Sequence, residues 1–362
     1  MTRVLFVDDE PILLRAIERA LRTRSRLWTA TFVTSASAAL ALLDCESFDV
    51  IVSDIGMPEM DGVTLLGHVR ERHPHMARLV LSGHAGSEER ARAVVAIHQW
   101  LSKPCPLVKL VDTIDRLQWA RTLIDDPEIL ARVCAVGSLP STPSVFQKVN
   151  EAMLRETSVS EVVSLVETDI ALTSKLLQLV NSAFYSEPER VSSVRRAAEM
   201  LGLDRLRELL LAEHVVRCGP EADAVAARGA YVATLSRAFA SSSEDDAFVA
   251  GLLHDVATLV IGATSATPTL HARLGGLVLG TWGLPQEIAC AVAYHRDPEG
   301  APDPRNRILL AVALADSLVR ELDSPENPSH IVDGRAVALG LVPLDCRKQA
   351  RTLCSPIGGR GR

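Results

Sequence analysis

Five polar residues near the N-terminus carry side chains that could bind a cation and accept a phosphoryl group. They are Asp8, Asp9, Asp54, Ser82 and Lys103. Three carboxylates held close together resist joint ionisation unless a cation neutralises them. An all-oxygen ligand set that leaves waters in place favours Mg²⁺ over Zn²⁺. A carboxylate beside such an ion can attack phosphorus, while the ion and the lysine neutralise charge on the transferred oxygens.

Parallel strands would bring these five side chains to one place. Each of them follows or ends a short apolar run, and helix-like segments follow the runs, which predicts repeated β-α units with buried strands. The runs are Val4–Val7, Val50–Val52, Leu79–Leu81 and Trp100–Leu101. In an open α/β sheet, ligands bind outside the carboxyl ends of the strands. A single Asp after a strand is usually a helix cap or turn residue, so the prediction depends on the combined pattern.

Several motifs in this order resemble a bacterial response-regulator receiver domain. They are Val7–Glu10, Ser53–Gly62, Leu81–Gly83 and Lys103–Pro104. The resemblance implies a flavodoxin-like, doubly wound sheet of five parallel strands. It also implies that Asp54 is the phospho-acceptor. Asp8, Asp9 and Asp54 would then bind Mg²⁺, with the backbone carbonyl of Gly56 as a further ligand.

The same resemblance gives roles to three other residues. Ser82 would be the catalytic hydroxyl that reorients toward the phosphoryl group, and Lys103 its counter-charge. Trp100 occupies the switch position, where the family more often has Tyr or Phe. Lys103-Pro104 resembles the family's cis peptide, which would direct the lysine inward.

Composition limits the remaining possibilities. A chain of 362 residues is long enough for two domains with their own cores. A net charge of −7 argues against a general nucleic-acid binder. The seven cysteines form no CxxC pair and are typical of reduced thiols. We expect a cytoplasmic protein, because a strand begins near the N-terminus, where a signal peptide would lie, and no apolar run approaches ~18 residues.

Local patterns predict four segments. These are a receiver domain at 1–120, a helical connecting segment at 121–137, an all-α domain at 138–353 and a flexible tail at 354–362. The receiver is expected to end with a helix from about Pro106 to Leu117. Asp125–Pro127 then interrupts the helical pattern and starts it again. The two prolines of Gly137–Pro143 exclude a continuous helix through that stretch.

The helical part carries a second resemblance, to the HDOD output domain, a relative of HD-type metal phosphohydrolases. The motifs are Gly137–Pro143, Glu167–Thr173, Leu179–Tyr185 and Ala198–Gly202. The Asn181-Ser182 pair within them is expected at a helix end, where it can cap the helix or bond to backbone. The resemblance implies an HD-like, all-α fold for this domain.

The HD centre is incomplete in this sequence. His254 and Asp255 supply the adjacent pair, Asp316 the distant aspartate, and His271 and His295 the accessory histidines. The early-helix histidine of the family would fall in the segment 230–234, which offers no metal ligand. Arginine follows His295 where phosphodiesterase relatives have a second histidine, and a guanidinium cannot bind a metal.

Two interpretations of this centre remain open. His254, Asp255, His271 and Asp316 could form a residual metal or nucleotide-phosphate site. Alternatively, the imidazole and carboxylate could be a retained buried cluster that bonds internally and to backbone. Arg296, beside His295, could grip an oxyanion, although a solvated surface pair is the more common arrangement.

The sequence therefore predicts a response regulator that accepts a phosphoryl group from a sensor histidine kinase. It would signal through a non-catalytic HDOD domain to an unidentified downstream protein, with Mg²⁺ in the receiver and no cofactor in the HDOD domain. The alternative is an active HD phosphohydrolase acting on a cyclic dinucleotide or nucleotide. DNA and membrane binding are not expected. Homodimerisation could use the receiver surface from about Glu88 to Leu117.

Overall fold

The computed structural model of the chain forms two compact units. The first comprises Met1–Ser138, Gln178–Arg190 and Gly280–Leu284, and the second comprises Leu139–Leu177, Val191–Leu279 and Pro285–Arg362. The structure describes residues 1–22, 28–83, 97–136, 148–149, 151–152, 155, 157–181, 190–202, 206, 220–241, 243–261, 267–323 and 330–354. The whole motif Gly137–Pro143, the residues Ser182–Tyr185, Glu88 with its neighbours and residues 355–362 of the predicted tail lie outside this set.

A five-stranded parallel sheet forms the centre of the first unit. Its strands are β1 (Thr2–Val7), β2 (Trp28–Val33), β3 (Val50–Ser53), β4 (Ala77–Ser82) and β5 (Gln99–Ser102). Their order is β2-β1-β3-β4-β5, which confirms the predicted doubly wound sheet. The chain order reverses between β1 and β3, and this switch point is where open α/β sheets bind ligands.

Helices pack against this sheet. They are α1 (Pro11–Arg22), α2 (Ala36–Leu43), α3 (Gly62–Arg72), α4 (Leu107–Arg121) and α5 (Pro127–Ala135). Successive strand residues point to opposite faces of a sheet, so Leu5 and Ile51 join one apolar cluster and Val4 and Val50 the other. Both faces of the sheet are therefore buried, as the continuous apolar runs predicted.

The connecting helix starts where the sequence predicted. The Asp126 carboxylate caps α5 by accepting the N–H groups of Glu128 and Ile129, and Pro127 occupies the first turn. These contacts satisfy N–H groups that have no partner inside the helix. The preceding helix α4 ends at Arg121, four residues later than the expected end near Leu117.

The second unit is helical throughout its described residues, as expected. Its α-helices, two of which (α7 and α12) end within residue ranges of the first unit, are α6 (Val159–Val166), α7 (Ile170–Asn181), α8 (Val194–Leu201), α9 (Pro220–Ala240), α10 (Glu244–Leu252), α11 (Val256–Ile261), α12 (Pro268–Thr281), α13 (Gln286–Tyr294), α14 (Arg307–Asp323), α15 (His330–Ala338) and α16 (Pro343–Leu353). Asn181 is the last described residue of α7, and Ser182 lies outside the described residues. Gly202, with φ of +74°, caps α8, a backbone conformation that favours glycine. Among the described residues, no helix is both long and apolar enough to cross a membrane.

A glycine in α10 allows close approach to α9. A Cβ atom added to Gly251 would lie 2.8 Å from the Ala233 Cα atom, which is closer than real contacts allow. The glycine thus permits the two helices to pack at the point where α10 leads into His254. Gly251 therefore allows α9 and α10 to pack closely just before the pair His254-Asp255.

A buried polar junction attaches α5 to the amino ends of two strands. The Arg78 guanidinium, on β4, donates to the Cys134 carbonyl at 2.7 Å, and His98 Nε2 lies 2.9 Å from the same oxygen. The backbone N–H of Arg78 donates to His98 Nδ1 at 2.9 Å. His98 is therefore a neutral imidazole with its proton on Nε2. Burial, and then the charge of Arg78, hold the pKa of His98 well below its ordinary value.

We predict that acid destabilises the first unit through His98. Because its folded-state pKa is lowered, the unfolded chain binds the extra proton below about pH 6.5, and stability falls with decreasing pH by up to ~1.4 kcal/mol per pH unit. His98→Gln should flatten this slope. The measurement is denaturant unfolding followed by tryptophan fluorescence. All four tryptophans lie within the residue ranges of the first unit: Trp28, Trp100, Trp119 and Trp282.

The matched control for this prediction is His68→Gln, which removes an exposed imidazole on α3. It should keep the slope of the wild-type chain. An unchanged slope in His98→Gln would contradict the neutral tautomer inferred for the junction.

Candidate functional site

Three carboxylates meet at the carboxyl edge of the sheet. Asp8 and Asp9 follow β1, and Asp54 follows the neighbouring strand β3. One carboxylate oxygen from each lies within 4.8 Å of the other two. Within the part of the chain that the structure describes, no other three His, Cys, Asp or Glu residues meet this criterion. The sequence predicted this grouping.

Lys103 neutralises part of this charge. Its Nζ atom lies 2.7 Å from Asp8 Oδ2 and 2.9 Å from Asp54 Oδ2. Burial alone would lower the pKa of the Lys103 ammonium, but the bonds to Asp8 and Asp54 outweigh burial and raise it. The ammonium therefore stays charged and bridges two strands that carry carboxylates.

The backbone around Asp54 is held tightly. Its N–H donates to the Val7 carbonyl at 2.9 Å, and its Oδ1 accepts the Ile55 N–H at 2.8 Å. Gly62, at the start of α3, packs on the Asp54 carbonyl, since an added Cβ atom would lie 1.8 Å from that oxygen. Only glycine fits there. Gly56 lies in the intervening loop, and its role as a metal ligand stays a prediction.

Ser82 and Trp100 lie on the neighbouring strands β4 and β5. Ser82 ends β4, is buried, and accepts the Lys103 N–H on its backbone carbonyl at 3.0 Å. Trp100 is buried among apolar side chains that include Val80 and Ile97. The Lys103-Pro104 peptide is cis, as predicted. The signalling roles of Ser82 and Trp100 stay predictions.

The acidic cluster fits a hard divalent cation. Its donors are carboxylate oxygens, which Mg²⁺ prefers, and their mutual repulsion favours a bound cation. Lys103 provides a single positive charge for the three carboxylates. The site can therefore bind Mg²⁺ and hold the negative charge of a phosphoryl group next to Asp54.

In the second unit, His254 faces two carboxylates. The ring is fully buried and donates Nδ1–H to the Gly251 carbonyl at 2.8 Å. Its Nε2 lies 3.3 Å from Asp255 Oδ2 and 3.7 Å from Asp316 Oδ1. Although burial lowers the pKa of His254, these two carboxylates raise it above its ordinary value.

His295 lies beside His254 but is neutral. Its Nδ1–H donates to the Val292 carbonyl at 2.8 Å, and its Nε2 accepts Arg296 Nε–H at 2.9 Å. Burial lowers the pKa of His295 to about 3. His271 contacts the same cluster, with its Nε2 atom 3.6 Å from Asp255 Oδ1. The structure thus brings together all five residues predicted for the HD centre.

Sequence reasoning missed two arginines of this cluster. Arg228, on α9, lies 3.9 Å from Asp255 and 3.8 Å from Asp316, measured between guanidinium nitrogen and carboxylate oxygen. Arg320 donates to Asp316 at 2.6 Å. The i, i+4 spacing of Asp316 and Arg320 on one helix could have indicated that pair. No local sequence pattern could have indicated Arg228, because its contacts depend on how α9 packs against segments that are distant in the sequence.

A metal ion does not fit the cluster as it stands. The Nε2 lone pair of His295 already accepts an arginine N–H. A ligating imidazole must present a free lone pair. Guanidinium groups of Arg228 and Arg296 lie beside both carboxylates. The second open interpretation, a retained buried cluster, describes this arrangement better, with arginines as additional members.

Family models match both units. Residues 4–115 match the response regulator receiver domain, residues 139–267 the HDOD domain and residues 227–321 the HD domain. The chain joins a response regulator receiver domain to an HDOD domain. The predicted family resemblances are confirmed, and this architecture supports the prediction that the chain is a response regulator.

Individual relatives match parts of this chain. The response regulator FleR of Pseudomonas aeruginosa is 36% identical over 118 residues, which cover 32% of this chain and 24% of that protein. An uncharacterised protein of Treponema pallidum is 26% identical over 225 residues, which cover 52% of this chain and 43% of that protein. The chain therefore spans less than half the length of these curated relatives.

Solved structures give similar matches. The MmoQ response regulator of Methylococcus capsulatus covers 59% of this chain and 98% of its own, with 21% identity and a TM-score of 0.46. The match to the receiver domain of an HD domain-containing protein from Pseudomonas fluorescens covers 32% of this chain and 85% of that one, with 28% identity and a TM-score of 0.30.

We predict opposite stability effects for two substitutions at the acidic cluster in the absence of divalent cations. Asp9→Asn should raise the free energy of unfolding by about 1 kcal/mol, because it relieves repulsion between carboxylates. Lys103→Met should lower it by about 1 to 3 kcal/mol, because Asp8 and Asp54 lose their shared partner. Urea unfolding of the first unit, followed by tryptophan fluorescence, measures both.

Added Mg²⁺ should stabilise the wild-type chain by mass action and have little effect on Asp9→Asn. A loss of stability in metal-free Asp9→Asn would contradict the proposed repulsion.

Proposed function

We propose that this chain is a response regulator that accepts a phosphoryl group on Asp54 from a sensor histidine kinase and signals through a non-catalytic HDOD domain. The observation that carries the proposal is the position of Lys103, which contacts both Asp8 and Asp54 at the carboxyl edge of the sheet. This arrangement places a nucleophile, a fixed cation and a set of metal ligands together, as phosphoryl transfer requires.

In the proposed reaction, an Asp54 carboxylate oxygen forms a bond to phosphorus as the bond between phosphorus and a kinase histidine breaks. The departing imidazole takes up a proton. Lys103 and the Ser82 hydroxyl then contact the phosphoryl oxygens. Asp8, Asp9 and Asp54, with the Gly56 carbonyl, would hold Mg²⁺, which when bound neutralises charge on those oxygens. Slow hydrolysis of the acyl phosphate returns the receiver to its resting state.

The strands β4 and β5 provide a route from the phosphorylation site to the connecting helix. Their carboxyl ends bear Ser82 and Lys103, and their amino ends bear Arg78 and His98, which hold the carbonyl of Cys134 on α5. Phosphorylation can shift the equilibrium between receiver conformers at the carboxyl ends of these strands. Such a shift can therefore change the hydrogen bonds that hold α5 at their amino ends.

The helical unit is proposed to act by binding a downstream protein, because its HD centre presents arginines instead of open metal positions. An HD phosphohydrolase needs a metal with an open coordination position for water. A cytoplasmic location belongs to the same proposal, and the absence of direct DNA binding agrees with the net charge of −7. Dimerisation through the surface from about Glu88 to Leu117 belongs to the same proposal.

We predict that acetyl phosphate with Mg²⁺ adds a single acid-stable, base-labile acyl phosphate to the wild-type chain and none to Asp54→Asn. Intact-protein mass spectrometry measures the added mass. The matched control is Asp112→Asn, which removes an exposed carboxylate on α4 and should be labelled like the wild type. A label that persists in Asp54→Asn would refute the assignment of the acceptor.

We also predict that beryllofluoride, a phosphoryl mimic, changes amide hydrogen exchange in α5 of the full-length chain. The reason is that α5 is held by groups on the same two strands that bear Ser82 and Lys103. Hydrogen-exchange mass spectrometry of peptides from Pro127–Ala135 measures the effect. Asp54→Asn serves as the control and should show no change. Equal exchange with and without beryllofluoride in the wild type would exclude relay through α5.

A further inference from the structure

The helical unit retains the supporting contacts of a metal site. In metal sites, a ligating histidine usually donates its other ring N–H to a backbone carbonyl or carboxylate, which fixes the tautomer. His254 and His295 each donate Nδ1–H to the carbonyl three residues earlier, at 2.8 Å. The Nε2 atom of each ring is therefore left for a ligand. The two rings are neighbours, with centroids 5.4 Å apart.

Arginine side chains lie beside His295 and beside the carboxylates of this centre. Arg296 Nε–H donates to the Nε2 atom of His295. The Arg228 guanidinium lies 3.8 to 3.9 Å from carboxylate oxygens of Asp255, Asp316 and Asp323. At such distances the guanidinium balances the carboxylates by charge more than by hydrogen bonds.

Four buried atoms of this centre have no hydrogen-bond partner among the described residues. They are Arg228 Nε, Arg228 Nη2, His254 Nε2 and Asp316 Oδ1. Buried polar atoms without partners are uncommon and costly. The guanidinium thus compensates the carboxylates in charge without matching them in geometry.

We propose that Arg228 and Arg296 are built-in cations that substitute for a divalent metal ion in this HD centre. Each of them lies beside both Asp255 and Asp316, where such an ion would bind, whereas Arg320 pairs with Asp316. Removing both guanidinium groups should therefore open a site for a divalent ion with nitrogen and oxygen ligands. The proposal deepens the non-catalytic role proposed for the helical unit and rests on it.

The test measures Mn²⁺ binding by full-length protein, from the electron paramagnetic resonance signal of the free ion. All proteins carry Asp9→Asn, which weakens the separate acidic cluster of the first unit. The chain with both arginines should bind no Mn²⁺ in the helical unit. The double variant Arg228→Met with Arg296→Met should bind one Mn²⁺ per chain, and an added Asp255→Asn should abolish that binding.

Two control variants separate charge from other effects. Arg228→Lys with Arg296→Lys keeps both positive charges and should remain free of Mn²⁺. Arg237→Met removes another arginine of α9, one that contacts Glu167 and Asp245, and should also bind none. Mn²⁺ should raise the melting temperature of the double Met variant only.

Each remaining outcome decides the proposal. A folded double Met variant that binds no Mn²⁺ overturns it and leaves the phospho-acceptor role of Asp54 intact. If the chain with both arginines binds Mn²⁺ and loses it with Asp255→Asn, both this proposal and the non-catalytic role fail. If the double Met variant folds only with Mn²⁺ present, the proposal is supported, whereas failure to fold even with Mn²⁺ counts against it.

Discussion

Carboxylates that crowd at one edge of the sheet require cations, and this constraint organises the first unit. β1 and β3 deliver Asp8 and Asp54 to adjacent positions, where their charges repel. Lys103, which follows β5, bridges the two, and the packing of Gly62 on the Asp54 backbone fixes Asp54 in place. One fixed lysine for three carboxylates favours the binding of a divalent cation.

The second unit handles the same constraint differently. Asp255 and Asp316 are surrounded by guanidinium groups that belong to the chain itself. A covalently attached cation cannot dissociate, activate water or leave an open coordination position. The two units therefore differ in their fixed cations, with one lysine among three carboxylates in the first and several arginines around two carboxylates in the second.

Sequence patterns predicted the site in the first unit because its residues follow apolar runs whose topology is simple. The edge strand Trp28–Val33 lacks such a run, since Thr29 and Thr31 interrupt it and most of its residues are only partly buried, so it was expected only from the family resemblance. The junction of Arg78 with His98 depends on strand register across 20 residues, which no local pattern encodes. Likewise, motif spacing indicated His254 and Asp255, but the position of Arg228 follows from helix packing.

The most direct test of this account is the location of divalent cations in crystals of the full-length chain. Anomalous scattering at the manganese edge, from crystals soaked in Mn²⁺, locates each bound ion without reference to activity. We predict an anomalous peak among Asp8, Asp9 and Asp54 and none beside Asp255 and Asp316. A peak bound by His254, Asp255 and Asp316 in the wild-type chain, with Arg228 displaced, would contradict it.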